Sequence, residues 1–184
     1  MLLLTFLALI AGAESPPVEL ALFSDAPDVR IERYAVAGRS PSALRRAIIA
    51  ARPADAAGGR FDGLTTWNYG FTYLHDGAGV CLPQSAEVRV EITVTLPAPS
   101  ELNRLDARAR RAWDGYITGL ASHERNHVRI VERGLTEFRR AVRSAPDCAG
   151  MQAAAERVSR DVEAASREYD RRTGHGQSEI PPFG

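Results

Sequence analysis

The chain has 184 residues, 45% of them apolar and 25% charged, which fits one soluble globular domain with a sizeable core and excludes a disordered or fibrous chain. Its 23 basic residues, all arginine, balance 23 acidic ones, so no electrostatic case exists for nucleic acid or an anionic membrane surface as partner. The lack of lysine also excludes Schiff-base chemistry.

The apolar run Leu2–Ile10 is shorter than the roughly 20 residues a bilayer span needs. Ala11-Gly12-Ala13 after it fits an A-x-A cleavage site, although no Lys or Arg precedes the run. The expectation is a signal peptide over 1–13 and a single mature domain over 14–184, secreted or periplasmic, with no membrane span. Cys81 and Cys148 are a lone pair far apart in sequence, neither in a CxxC, and in an oxidising compartment they are expected to form a disulfide.

Val18–Phe23 reads as a first strand, and Val29, Ile31 and Val36 mark a second, rich in β-branched residues. Ser40-Pro41 supplies an N-cap and a first-position proline for a short helix that ends before Pro53. A loop over 53–63 follows. Trp67, Tyr69, Phe71 and Tyr73 then alternate with Asn68, Gly70 and Thr72. The sequence DGAG at 76–79 turns the chain, and Val88–Leu96 alternates apolar and polar residues most clearly of all. Pro97-Ala98-Pro99 is expected to stop that strand and Ser100 to cap a helix.

Helical spacing then runs from Leu102 through Trp113, Tyr116, Leu120, His123, His127 and Ile130 to Val142. Gly115, Gly119 and Gly134 interrupt it at about 1 kcal/mol each relative to alanine. Pro146 ends the pattern, and Asp147 can cap a second long helix with an inner stripe from Met151 to Tyr169. The predicted fold class is α+β, a mixed sheet followed by a long helix and a second, antiparallel one.

The segment His123-Glu124-Arg125-Asn126-His127 carries the chemistry. Histidines four apart share one helix face and can both reach a zinc ion at about 2.0–2.1 Å. Glu124, about 100° round the helix from His123, is poorly placed as a ligand but can reach a water at the metal. This is the arrangement HExxH encodes, two ligands and a general base on one rigid element. A catalytic zinc needs a third protein ligand. His175, just past the second long helix, is the expected one; Asp170 is its rival, with Glu163 and Glu168 weaker. His75 reads as a surface-loop histidine.

The chain resembles the bacterial family of predicted secreted zinc-dependent proteases, catalogued as a domain of unknown function. The likeness rests on Tyr34-Ala35-Val36-Ala37-Gly38, Gly63-Leu64-Thr65-Thr66-Trp67, Cys81, Thr95-Leu96-Pro97, Trp113 and Tyr116 before the HExxH motif, and Tyr169-Asp170-Arg171-Arg172-Thr173-Gly174-His175-Gly176. It implies a zincin-like peptidase acting on a peptide or protein substrate, with His123 and His127 as zinc ligands and Glu124 as base. His175 and Asp170 are the residues to complete the site, Arg125 and Asn126 occupy free positions, and Tyr169 or Tyr116 is an oxyanion donor or a core anchor. It further implies that strand 86–96 is the sheet edge on which an extended substrate pairs. Two other readings compete: a non-catalytic envelope module with structural zinc, and a zinc amidase acting on cell-wall peptide.

Overall fold

A computed structural model describes residues 17–26 and 28–184, so the expected signal peptide lies outside the described residues. The element order is α1 (Val18–Ala21), β1 (Val29–Val36), α2 (Pro41–Ala51), β2 (Leu64–His75), β3 (Cys81–Pro99), a 3₁₀ turn (Leu102–Arg104), α3 (Ala107–Arg143) and α4 (Cys148–Thr173). The three strands form one mixed sheet in the order β1-β3-β2, with β1 parallel and β2 antiparallel to β3. Helix α3 lies between this sheet and α4, and α2 packs on β1 and α3. The fold is α+β, as the sequence pattern predicts.

Alternation explains the sheet. Ile92, Val94 and Leu96 are buried, and all belong to one hydrophobic cluster with Leu120, Val128, Val131 and Phe138 of α3. Tyr69 of β2 stacks on Phe138 at 4.9 Å and donates its hydroxyl to the Val131 carbonyl at 2.7 Å, pinning β2 to α3. The capping expectations at Ser40 and Asp147 hold: each side chain accepts a backbone N–H three residues on, from Ala43 and Gly150.

Four expectations are corrected. Val18–Phe23 is not a strand: it opens with one short helical turn, α1, because a short apolar run has no periodicity that separates the two forms. The prolines at 97 and 99 do not stop β3, since Tyr34↔Pro97 and Val36↔Pro99 still pair in the parallel ladder. The long helix is capped by Asp106, which accepts from Ala109 N at 2.7 Å, and not by Ser100, whose hydroxyl donates to the Val36 carbonyl. Finally, β3 is the central strand, and β1 covers its second side from Ile92 onward, so only the part of the expected edge before Ile92 is left paired with β2 alone.

Helix α3 runs unbroken for 37 residues, about 55 Å, through its three glycines. Two of these are close approaches. A Cβ at Gly119 would lie 2.7 Å from Pro181 of the C-terminal segment, and one at Gly134 would collide with Val162 of α4 and the Tyr69 hydroxyl. Close packing, not flexibility, accounts for them. Cys81 and Cys148 form the expected disulfide, with Cα atoms 5.7 Å apart, tying the start of β3 to the start of α4.

Candidate metal centre

Helix α3 brings His123 and His127 onto one face, four residues apart, with their rings nearly perpendicular and 4.9 Å between centroids. Helix α4 returns antiparallel and presents Asp170. Its Oδ1 lies 3.2 Å from His123 Nε2 and 3.0 Å from His127 Nε2, and the two Nε2 atoms are 3.2 Å apart. Tetrahedral zinc at about 2.0–2.1 Å from each donor sets donors roughly 3.3–3.4 Å apart. The triangle fits such an ion to within a few tenths of an ångström, in donor type as well as spacing.

The remaining ring nitrogens are held. His127 Nδ1 is 2.8 Å from Ser166 Oγ, and His123 Nδ1 is 2.9 Å from the Glu179 carboxylate. A carboxylate can only accept, so His123 carries its proton on Nδ1 in the neutral form and offers the Nε2 lone pair to a metal. Tyr169 donates to the same Glu179 oxygen at 2.6 Å, receives a bond from Asn126 Nδ2 at 2.9 Å, and stacks on His123 at 4.9 Å. Burial alone lowers the His123 pKa, but the Asp170 and Glu179 carboxylates more than reverse it. For Asp170, burial is likewise outweighed: the adjoining His123 and His127 rings hold it ionised, well below the usual carboxylate range.

Glu124 is 3% exposed and stands apart from the three donors. The Thr65 hydroxyl at the start of β2 donates to its Oε2 at 2.7 Å, and Gly63 leaves just enough room for Oε1. Burial pushes its carboxyl above the ordinary range, against the lowering effect of His127 and Thr65. The triad, Glu124 and Thr65 line one wall of a cavity of about 520 Å³.

His175 lies at the rim of this cavity, outside the donor triangle. Its side chain is 59% exposed, Nδ1 is 4.0 Å from Asp170 Oδ1, and its ring faces Phe61 at 5.4 Å. Asp170, the rival in the sequence reading, occupies the third place. Neither tyrosine points at the triangle: Tyr169 is spent on Glu179, and Tyr116 donates to Asp62 at 2.9 Å. Glu163 and Glu168 pair with arginines on the exposed side of α4, and His75 is exposed at the end of β2. Arg125 and Asn126 are not free. Arg125 is buried and bridges Asp25 and Glu132, while Asn126 holds Tyr169.

Sequence reasoning missed Ser166, Glu179, Thr65 and Gly63. Ser166 left a trace, a polar residue four before Asp170 on the same helix face. Glu179 left none, because three consecutive positive φ values at Gly174, His175 and Gly176 carry the chain back over α3.

These features define an α+β domain whose two long helices assemble a candidate metal centre. The chain belongs to the family described as bacterial protein of unknown function (DUF922), whose profile matches residues 31–176, from β1 to the glycine after His175. No curated protein and no solved structure matches it significantly.

Proposed function

We propose that the protein is an extracytoplasmic, zinc-dependent metallopeptidase of zincin type. The observation that carries this reading is the convergence of three ligand atoms and one buried, non-ligating glutamate on a single cavity wall. His123, His127 and Asp170 would hold the ion. When bound, zinc supplies Lewis-acid activation of water and of the scissile carbonyl.

The chain's own groups do the rest. Glu124 takes the proton of the attacking water and passes it to the leaving amine. Thr65 and Gly63 fix its carboxylate, and Glu179 and Ser166 fix the two imidazoles. His175 at the rim offers an N–H to the carbonyl oxygen as charge develops there. The second edge of β2 is unpaired among the described residues and begins beside Thr65, where an extended substrate strand can add. The disulfide favours an oxidising compartment, and no helix among the described residues is long and apolar enough to cross a membrane. Against a purely structural zinc site stand the exposure of His175 and the cavity that reaches the ligands.

Glu124→Gln tests the reading. Zinc content and melting temperature stay near wild type, while zinc-dependent hydrolysis of an unstructured protein falls by at least about 10²-fold. Loss of zinc from this variant makes Glu124 a ligand and sinks the proposal, as does a zinc-loaded wild type that cuts nothing.

A further inference from the structure

At the end of the cavity away from the metal triangle, Asp62 receives two guanidiniums at once. Arg45 Nη1 and Arg52 Nε both donate to its carboxylate, the latter at 2.6 Å, and the Tyr116 hydroxyl adds a third bond at 2.9 Å. Burial would raise the Asp62 pKa, and the Arg45, Arg52 and Tyr116 bonds more than cancel it, so the group stays ionised. One carboxylate facing two guanidiniums leaves a net positive charge. It also leaves most of the N–H donors unspent, since each guanidinium has five and each of these two gives one to Asp62. The Arg45 and Arg52 side chains are 30% and 28% exposed, and both line the cavity.

A third guanidinium, that of the exposed Arg60, also lines the cavity; it donates one bond to the Arg52 carbonyl at 2.9 Å, which keeps it beside Arg52, and its other donors form no ion pair among the described residues. The other acid there, Asp55, has one oxygen taken by the backbone N–H groups of Ala57 and Gly59. Arginine's planar fork matches a carboxylate bidentately, and its hold is strongest in partly buried sites such as this one. Tyr116 precedes Glu124 by eight residues on α3, a rise of about 12 Å, which about four residues of extended chain cover. Gly63, next to Asp62, touches Glu124 directly. Leu120, Ile180 and Phe183 give the intervening stretch apolar walls.

We propose that Arg45, Arg52 and Arg60 form a carboxylate seat, so that the preferred substrate is a peptide with a free carboxylate within about four residues of the bond cut. The carboxylate is either the peptide's own C-terminus or an acidic side chain. The proposal rests on the peptidase reading for the cut, but the seat itself is a matter of binding and is testable without turnover.

The test uses three fluorescein-labelled hexapeptides of otherwise identical neutral sequence: one with a free C-terminus, one C-terminally amidated, and one amidated with a single glutamate. Affinity is measured by anisotropy on the zinc-loaded Glu124→Gln protein and on the same protein carrying Arg52→Gln. At least one carboxylate peptide binds about 10-fold or more tighter than the neutral one, as charge-assisted hydrogen bonds allow, and Arg52→Gln removes that preference while neutral-peptide affinity stays unchanged. Whichever carboxylate peptide is preferred identifies the source. Equal binding of all three peptides, no binding, or a proportional loss on all three in Arg52→Gln overturns the seat. Should Arg52→Gln fail to fold, Arg60→Gln serves in its place and must shrink the preference several-fold, or the proposal falls. Wild-type protein that binds with carboxylate preference but leaves the peptides uncut refutes the peptidase and leaves the seat standing.

Discussion

Gly63→Ala separates the position of Glu124 from its identity. A Cβ at residue 63 would sit 2.5 Å from Glu124 Oε1, 3.1 Å from its Cδ and 3.0 Å from Leu120 Cδ1, where ordinary contact begins at 3.4 Å. The carboxylate must therefore withdraw by about 0.9 Å, a displacement of the size that costs roughly 10²-fold when it misplaces a reacting group. The energetic cost is small, because the obstructing atoms are the far end of a side chain and Leu120 need give only a few tenths of an ångström. Gly63 is not among the residues with positive φ, so alanine is tolerated by the backbone and stiffens the unfolded chain by about 0.4–1 kcal/mol. Melting temperature is expected to move by no more than about 4 °C, as 1 kcal/mol is worth about 2–4 °C at this length. Zinc stoichiometry stays at wild type, and hydrolysis of an unstructured protein falls about 10²-fold. Gly115→Ala, where the added Cβ meets nothing within 4 Å, is the control and keeps full activity. Wild-type hydrolysis by Gly63→Ala refutes the argument that this carboxylate must be held in place. A large loss of stability would instead assign Gly63 to the packing of the fold.

Third-ligand identity is read from zinc retention: Asp170→Ala loses the ion on gel filtration, whereas His175→Ala keeps one equivalent and loses turnover, and the reverse pattern would restore His175 as ligand. Glu179→Gln keeps the size of the side chain but weakens its hold on His123 Nδ1, so zinc affinity measured by competition with a chelator drops about 10- to 100-fold; an unchanged affinity removes Glu179 from the centre. Thiol titration of the denatured, unreduced protein finds no free thiol. The Cys81→Ser/Cys148→Ser variant loses about 4 kcal/mol in denaturant unfolding, from the 67-residue separation it no longer closes, and a loss near zero contradicts that entropy argument.

The elements that carry the site were legible because their periods are long and their ends are marked. Asp147 caps α4, Pro146 breaks the chain before it, and the apolar stripe through Leu120, His123 and His127 sets the inward face of α3. What could not be read is relative placement. Strand β3 is central only because β1 joins it in parallel after a crossover, which no local pattern announces. The sequence ranks His175 ahead of Asp170, and no local pattern could test that order, since the choice depends on the rotational phase of α4 against α3, set by the turn at 144–147 and the packing of Val162 on Gly134. Once that phase is fixed, Val162, Ser166 and Asp170 form one line down the helix facing α3, and His175 lies past the Gly174 cap, where the chain has already turned left-handed.

The C-terminal segment is where fold and chemistry meet. The turn at Gly174–Gly176 sends residues 177–183 back along α3: Pro181 packs against Gly119, and Phe183 stacks on Tyr116 at 4.8 Å. That path places Glu179 on His123 Nδ1, and Tyr169 is locked between them. The matched family span ends at residue 176, so both histidines, Glu124 and Asp170 lie inside it, but the group that sets the His123 tautomer lies beyond it. The candidate ligand atoms thus come from the helices, whereas the contact that sets the His123 proton comes from the strap that crosses them. The same strap supplies Ile180 and Phe183 to the cavity that also holds the metal triangle and Arg45, so a displaced tail would disturb His123 and the cavity wall together. On the peptidase reading, one short segment, anchored on one side by a glycine in α3 that has no side chain to obstruct it, would couple metal affinity to substrate binding.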